Sequence, residues 1–336
     1  MRDHLTLRLL LKRGALLSAA NWPVVTVQFV ASTAFNILLT IPILGGIFLV
    51  AVLIGGNATG LLDQGIRAAL SEIASTLVAR PAALAAFVVA FLIALVGGSI
   101  FMFLIKGGTV TVLAAADRVT SDVESGPWRA DRVWHASAFS AALFVEGCRR
   151  LFTRYLMLGI GLMMAYAVSA ALYLAVVVRS YRLVSQTVPL IGWTMMAALI
   201  STGFVLWITV VNLVYLLIQI AIAVEDLSVW AGVTRVARFL RAERREIAGV
   251  FGIVLAIVVM TTAASLLATA GVSLIAFVPI VGLAVFPLQA AAWLVRSLVF
   301  EYLGLTALCA YLHLYRMSGA ADRVGPQPFW TSEAGA

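Results

Sequence analysis

Six long apolar stretches, separated by shorter polar segments, dominate the hydropathy pattern of this 336-residue chain. A helix needs about 20 predominantly apolar residues to cross the hydrocarbon core of a bilayer, and each stretch is long enough to do so. The pattern therefore predicts an all-α fold, a polytopic transmembrane helical bundle of about six spans. The predicted spans cover roughly 21–41, 82–105, 155–178, 193–224, 247–270 and 289–313.

Composition supports this prediction and excludes several classes of protein. Apolar residues make up 63% of the chain and charged residues 11%, and the mean hydropathy is +1.06. A soluble domain averages about 25% charged residues, so this chain has too little polar surface for a water-exposed globule. A soluble enzyme, a disordered linker protein and a nucleic-acid-binding domain are thereby excluded.

The distribution of basic residues predicts the orientation. Eighteen of the 23 Lys and Arg residues fall in the N-terminal segment, 106–154, 225–246 and the C-terminal tail, whereas four fall in the opposite loops. Lys and Arg collect on the cytoplasmic side of membrane proteins. We therefore expect both termini to be cytoplasmic.

A motif of the form apolar-Pro-apolar-apolar-Gly occurs three times, each time after an outward span and with a basic doublet before that span. It predicts helix breaks near the outer ends of the spans and three repeated hairpins, with units 1–105, 106–224 and 225–313. The alternative is three chance breaks in an apolar background. The motif residues are Pro42 and Gly45, Pro189 and Gly192, and Pro279 and Gly282.

The chain is predicted to be one transmembrane domain, 1–313, with a short cytoplasmic tail, 314–336. The first unit is longer than the others, and residues 57–81 have helical apolar spacing that predicts an external amphipathic insert. The apolar segment Ile43–Ile54 is too short to span alone. It either extends the first helix or returns partway into the bilayer.

Two cytoplasmic stretches have the pattern of basic amphipathic helices. In Ser228–Arg245, Trp230 and Leu240 fall on one face and several arginines on another, and Trp128–Arg154 repeats the theme. Such helices lie at headgroup level and offer Arg to lipid phosphates. Ordinary anchoring and a partner-protein surface are the alternatives. The headgroup candidates are Arg149, Arg150, Arg235, Arg238, Arg241, Arg244 and Arg245.

Glu301 is the most unusual residue within a predicted span, since it falls near mid-bilayer. An intramembrane carboxylate is costly unless it is paired, protonated or beside water. Arg296 is near in sequence, but a separation of five residues places the two side chains about 140° apart on a helix. The functional interpretation of Glu301 is a protonatable or cation-coupling site facing a cavity, and the structural one is a buried acid bound to neighbouring helices.

Small residues give packing signals. Gly161, Ala165 and Ser169 form a stripe that would let another helix approach closely. The pair Gly107-Gly108 is predicted to lie at the end of a span, where glycine suits a turn or a kink.

No motif for nucleophilic or metal catalysis is present in the sequence, so we expect no enzyme activity, no cofactor and no metal site. Cys148 and Cys309 are far apart, without metal-ligand spacing, and are interpreted as small buried residues.

The segments Val224–Gly232 and Tyr311–Arg316 resemble elements of uncharacterised bacterial six-span membrane proteins, which are similar to the membrane domain associated with glycerophosphodiester phosphodiesterases. In that group an acidic pair ends a span and a basic amphipathic helix follows. This chain departs from the pattern at Gly232 and Val236, where Ala and Ser are expected. The resemblance implies six helices in a bacterial inner membrane, with no catalytic residue.

Two functions are favoured at this point, and a lipid-modifying enzyme with a site assembled from dispersed residues is a third that no motif supports. The first is a non-enzymatic protein that binds or moves a lipid or amphipathic solute, indicated by Glu301 and the basic helices. The second is a structural or assembly subunit of an inner-membrane complex. We expect anionic lipid headgroups as partners, with a second copy or a membrane-complex subunit as a further partner, and no nucleic acid.

Overall fold

Six membrane-spanning helices and two short ones make up the described part of the chain. The computed structural model describes residues 7–54, 79–120, 135–184, 190–276 and 281–318. The predicted six-span, all-α architecture is confirmed, since six of the helices are long and apolar enough to cross a membrane. The helices are α1 (Leu7–Ala20), α2 (Trp22–Ile54), α3 (Pro81–Val119), α4 (Ala141–Val184), α5 (Leu190–Glu225), α6 (Val229–Ala242), α7 (Arg244–Ala276) and α8 (Val281–Met317).

The first Pro-containing motif does not end a helix. Pro42 lies inside α2, which continues to Ile54, so the predicted break at Pro42 and Gly45 is wrong and Ile43–Ile54 extends the first span. Proline is tolerated within membrane helices because neighbouring groups satisfy the freed carbonyl. Gly192 and Gly282 lie in the first turns of α5 and α8. Pro189, Pro279 and residues 57–78 of the predicted insert lie outside the described residues.

The second span extends further than its sequence predicts. The prediction ends it at residue 105, before the charge of Lys106, but α3 continues to Val119. Lys106 and the pair Gly107-Gly108 therefore lie within the helix, and the predicted boundary between the first two units falls inside α3.

Glycines bring α3 and α4 into close contact. A Cβ added to Gly108 would lie 2.7 Å from the backbone oxygen of Phe144, and one added to Gly147 would lie 2.5 Å from Thr111 Oγ1. Only glycine allows such an approach between helix backbones. Gly161, in the stripe predicted for packing, has nothing within 4 Å of an added Cβ, so that prediction places the close contact at the wrong glycine.

The buried core lies toward one end of the bundle, which is the predicted cytoplasmic end. It joins α1 to the last turns of α3, α5 and α8 and the first turns of α4, with Leu17, Leu113, Leu151, Ile220 and Leu312 almost fully buried. Toward the other end, large apolar side chains are exposed, as in α4, α5 and α7. Lipid tails cover such surfaces in a membrane, so the bundle has one packed end, the predicted cytoplasmic one, and apolar outer walls.

Candidate intramembrane binding site

A cavity of about 400 Å³ lies between α2, α3, α5, α7 and α8. This volume is within the range of small-molecule sites, which are mostly apolar and contain a few placed polar groups. Met102, Phe251, Leu305 and Leu308 belong to its apolar wall. The polar lining includes Gln28, Ser32, Lys106, Thr109, Gln219 and Glu301.

The two charged residues of the cavity lie at the same depth. Asp117 Oδ1 is 3.1 Å from His313 Nδ1, which sets α3 and α8 in register. Counting back from that contact at 1.5 Å per residue, Lys106 is about 17 Å along α3 and Glu301 about 18 Å along α8. The hydrocarbon core of a bilayer is about 30 Å thick, so with the Asp117–His313 contact at its predicted cytoplasmic boundary both charges fall near its middle.

Lys106 and Glu301 face the cavity without forming a contact ion pair. Lys106 Nζ lies 5.4 Å from the centre of the Tyr215 ring, a cation–π distance. Glu301 accepts a hydrogen bond from Ser32 Oγ. The two charges are close enough to interact, yet among the described residues no carboxylate oxygen is within ion-pair distance of Lys106. Both residues are half-buried, so each remains accessible from the cavity.

Three buried polar groups of the lining have no hydrogen-bond partner among the described residues: Tyr215 Oη, Gln219 Nε2 and Tyr311 Oη. Tyr215, Gln219 and Tyr311 are 6%, 1% and 2% exposed. A buried polar group without a partner is unfavourable by about 1–3 kcal/mol. Residues of the cavity wall therefore hold polar groups whose hydrogen bonds a molecule that reaches them would complete.

The lining combines features that suit one class of ligand. Its apolar wall matches a hydrocarbon chain, and its charged and hydrogen-bonding residues match a polar headgroup. Thr109 Oγ1, which donates to Gln28 Oε1 at 3.2 Å, holds one part of the polar lining in place. The arrangement is therefore suited to an amphiphile that carries both parts.

Between the cavity and the predicted cytoplasmic end of the bundle, an ion-pair network joins three helices. Arg13 Nε lies 2.9 Å from Asp117 Oδ1, Arg316 Nη1 lies 2.7 Å from Oδ2, and His313 also reaches Oδ1. The Asp117 side chain is 1% exposed. This network fastens α1, α3 and α8 at the predicted cytoplasmic end. Sequence reasoning missed it, because the contributing residues are far apart in the chain.

A second acid anchors α6. Glu225 Oε1, at the end of α5, accepts hydrogen bonds from Arg235 Nε at 3.1 Å and from Tyr315 Oη at 2.7 Å. Partial burial disfavours the charge of Arg235, but the hydrogen bond and the charge of Glu225 outweigh it and raise the pKa of Arg235. Arg235, predicted as a headgroup ligand, is therefore an internal ion-pair partner.

The joint between α5 and α6 holds one further predicted headgroup residue, Arg150, beside Arg154. Asp226 has a φ of 53° and starts the turn between the helices; Asp tolerates this left-handed conformation better than most residues. Its Oδ1 is 2.6 Å from Arg154 Nη1 and 3.8 Å from Arg150 Nη1. Arg149, Arg150 and Arg154 lie in α4 itself, so the predicted separate interfacial helix through Arg154 is wrong from Ala141 onward.

The predicted amphipathic helix after α5 is present as α6, but with a different buried face. Gly232, Val236 and Phe239 are buried, whereas Trp230 is 80% exposed. The helix ends at Ala242, and Arg244 and Arg245 begin α7. Five predicted headgroup residues are exposed: Arg149, Arg238, Arg241, Arg244 and Arg245.

Arg296 is not part of the cavity lining. Its guanidinium carbon lies 5.6 Å from the centre of the Phe300 ring, one turn further along α8. Lys106 is instead the charged neighbour of Glu301. The sequence could have indicated that Lys106 lies within a span, because it stands between two apolar runs, 82–105 and 109–116. A single longer helix accommodates both runs.

No protein-family model matches the chain, and neither a curated protein nor a solved structure matches it.

Proposed function

We propose that this protein binds a lipid or an amphipathic solute in the intramembrane cavity and moves it within or across a bacterial inner membrane, with both termini in the cytoplasm. The observation that carries the proposal is the pairing of an apolar wall with Lys106 and Glu301 in one cavity. Charged residues at this depth are rare and mark ligand or ion pathways. The excess of basic residues in the predicted cytoplasmic segments supports the orientation.

The exposed arginines support a further part of the proposal, contact with anionic lipid on the cytoplasmic side. Arg238 and Arg241 are exposed on α6, and Arg244 and Arg245 at the start of α7. Each basic residue near an anionic membrane surface contributes about 1 kcal/mol. These residues would hold α6 against the headgroups and attract anionic headgroups to the cytoplasmic end of the bundle.

Native mass spectrometry of protein extracted gently from its own membrane tests the proposed function. A Gly304→Phe variant fills the cavity, because Gly304 lines it and an added Cβ there meets nothing within 4 Å. Gly203→Phe is the matched control, since Gly203 is equally open but does not line the cavity.

We expect the wild type and Gly203→Phe to retain an amphiphile and Gly304→Phe to lose it. Equal retention by all three proteins would contradict the cavity as the binding site. A stoichiometric second protein with no amphiphile in the wild type would instead favour an assembly subunit.

A further inference from the structure

We propose that the cavity selects amphiphiles with a zwitterionic headgroup, binding the acidic group of the headgroup beside Lys106 and its basic group beside Glu301. This inference rests on the proposed function and deepens it by naming the class of ligand. It follows from the separation of the two charges, the distribution of donors and the free space beside Glu301.

Lys106 and Glu301 do not form a contact ion pair with each other. A contact ion pair would let Lys106 and Glu301 satisfy each other, but among the described residues no carboxylate oxygen is within ion-pair distance of Lys106. Lys106 has three N–H donors, and the contact described for it is with the face of the Tyr215 ring. Both charges therefore keep hydrogen-bonding capacity toward the cavity.

The residues around Lys106 add further hydrogen-bond donors. Tyr215 lies against its ammonium group, and Gln219 follows one turn later on the same face of α5. Tyr215 and Gln219 line the cavity, and their buried Oη and Nε2 atoms have no hydrogen-bond partner among the described residues. An ammonium with two adjacent N–H and O–H donors is suited to anionic oxygens, such as those of a phosphate or a carboxylate.

Glu301 has a hydrogen bond on one side and lies close to open space in the cavity. Ser32 Oγ donates to its Oε1, which fixes one side of the carboxylate. Gly304 lies one turn further on the same face of α8 and also lines the cavity. An added Cβ on Gly304 would meet nothing within 4 Å. The cavity is therefore open one turn from Glu301, which leaves room for an ammonium group of the ligand near the carboxylate.

A headgroup with one sign of charge would match only half of this site. An anion beside Lys106 would leave Glu301 as an uncompensated negative charge nearby. A cation beside Glu301 would likewise leave Lys106 as an uncompensated positive charge. An uncompensated buried charge opposes binding strongly. A zwitterion compensates both charges, so the site discriminates by repulsion as well as by attraction.

The experiment uses the full chain in an uncharged detergent and four single-chain amphiphiles with the same hydrocarbon chain length. They are lysophosphatidylethanolamine, lysophosphatidic acid, a primary alkylamine and a monoacylglycerol. Each is titrated separately, and the bound fraction is measured by native mass spectrometry. We expect the wild type to bind the zwitterion more tightly than the anion or the amine by about tenfold or more.

Charge-neutral variants separate the two halves of the headgroup site. Lys106→Gln should lose about tenfold or more in affinity for the zwitterion, and Glu301→Gln should lose a similar factor while binding lysophosphatidic acid more tightly than the wild type does. Arg296→Gln is the matched control, since it removes a charge from the same helix outside the cavity lining. It should change no affinity by more than about twofold.

The monoacylglycerol reports whether a variant keeps an intact cavity, because its headgroup is uncharged. If a variant loses monoacylglycerol binding, its cavity is no longer intact. The inference is then tested only by the wild type's order of affinities for the four amphiphiles. Tighter binding of the anion or the amine than of the zwitterion would overturn the inference and leave the proposed function standing. Binding of none of the four amphiphiles would overturn the proposed function as well.

A two-chain phosphatidylethanolamine, added in the same assay, distinguishes the source of the headgroup. Tighter binding of the two-chain lipid than of the single-chain form would support a membrane phospholipid as the ligand. Tighter binding of the single-chain form would support an amphipathic solute with the same headgroup.

Discussion

Arg13 and Asp117, separated by 104 residues in the chain, form a buried ion pair in which Nε donates to Oδ1 at 2.9 Å. Arg13 also donates from Nη2 to the backbone oxygen of Thr120 at 2.7 Å, so its guanidinium closes the end of α3. Arg316 and His313 hold the same carboxylate from α8. Asp117 therefore holds α1, α3 and α8 together at one end of the bundle. The depth of Lys106 and Glu301 was counted from this end.

Replacing Asp117 should destabilise the protein strongly. Asp117→Asn removes the carboxylate that pairs with the buried guanidinium of Arg13 and with the partly exposed guanidinium of Arg316, and breaking a buried ion pair destabilises by about 3–5 kcal/mol. The measurement is the free energy of unfolding in detergent micelles. Asp226→Asn is the control, because the Asp226 side chain is 56% exposed and an exposed pair contributes about 1 kcal/mol or less. Equal losses for the two variants would contradict a central role for the Asp117 network.

The contact between α1 and α8 should depend on Gly14. A Cβ added to Gly14 would lie 2.4 Å from the backbone oxygen of Thr306, and a backbone atom cannot move aside cheaply. Overpacking of this kind destabilises by about 1–3 kcal/mol, which offsets the roughly 1 kcal/mol that alanine gains in a helix. We therefore expect Gly14→Ala to lower the thermal unfolding temperature.

Gly161→Ala is the matched control for that experiment. Gly161 lies in a helix with nothing within 4 Å of an added Cβ, so alanine meets no obstruction there. Its unfolding temperature should equal or exceed that of the wild type. A fall as large as that of Gly14→Ala would show that the tight contact with α8 is not what makes glycine necessary at position 14.

The attachment of α6 should depend on Tyr315. Tyr315→Phe removes the hydrogen bond to Glu225 but keeps the ring, whose edge-on contact with Phe239 has a centroid distance of 5.0 Å. A hydrogen bond to a charged group contributes about 1.5–3 kcal/mol. Tyr173→Phe is the control, since the Tyr173–Ser201 bond of 2.8 Å joins two neutral groups and contributes about 0.5–1.5 kcal/mol. Unfolding free energies that rank the other way would contradict the proposed anchor.

Much of the fold was predictable from the sequence, because each span is read from a continuous local pattern. All six spans follow from runs of apolar residues, and α6 follows from the spacing of its apolar and basic residues. The errors come from treating a single residue as a boundary. Lys106 appeared to end a span, and Pro42 to break one, but the surrounding apolar residues continue the helix on both sides.

The cavity was only partly predictable. Glu301 stands out in any reading of the sequence, because an acid inside an apolar run is rare. Its neighbours Lys106 and Ser32 come from α3 and α2, and nothing local in the sequence indicates that these helices meet α8. The same holds for Arg13 and Asp117, which become partners only when the helices are packed.

The exposed arginines should determine how much anionic lipid the protein retains. A variant with Arg241, Arg244 and Arg245 all changed to Gln removes three charges, each contributing about 1 kcal/mol near an anionic surface. We expect phosphatidylglycerol retained after gentle extraction, measured by native mass spectrometry, to fall sharply. Changing Arg179 to Gln, on the predicted opposite side, should leave it unchanged. Equal losses for the two variants would contradict the proposed orientation.

Photolabelling in membranes shows directly whether a phospholipid headgroup enters the cavity. A phosphatidylethanolamine with a photoreactive group next to its headgroup would be incorporated into vesicles with the wild type, Gly304→Phe or Gly203→Phe, and the labelled residues mapped by peptide mass spectrometry. If a phospholipid binds in the cavity, we expect labels on cavity residues such as Met102 and Leu305, lost in Gly304→Phe and kept in Gly203→Phe. Labels confined to lipid-facing residues such as Val205 and Leu267, and unchanged in Gly304→Phe, would contradict it.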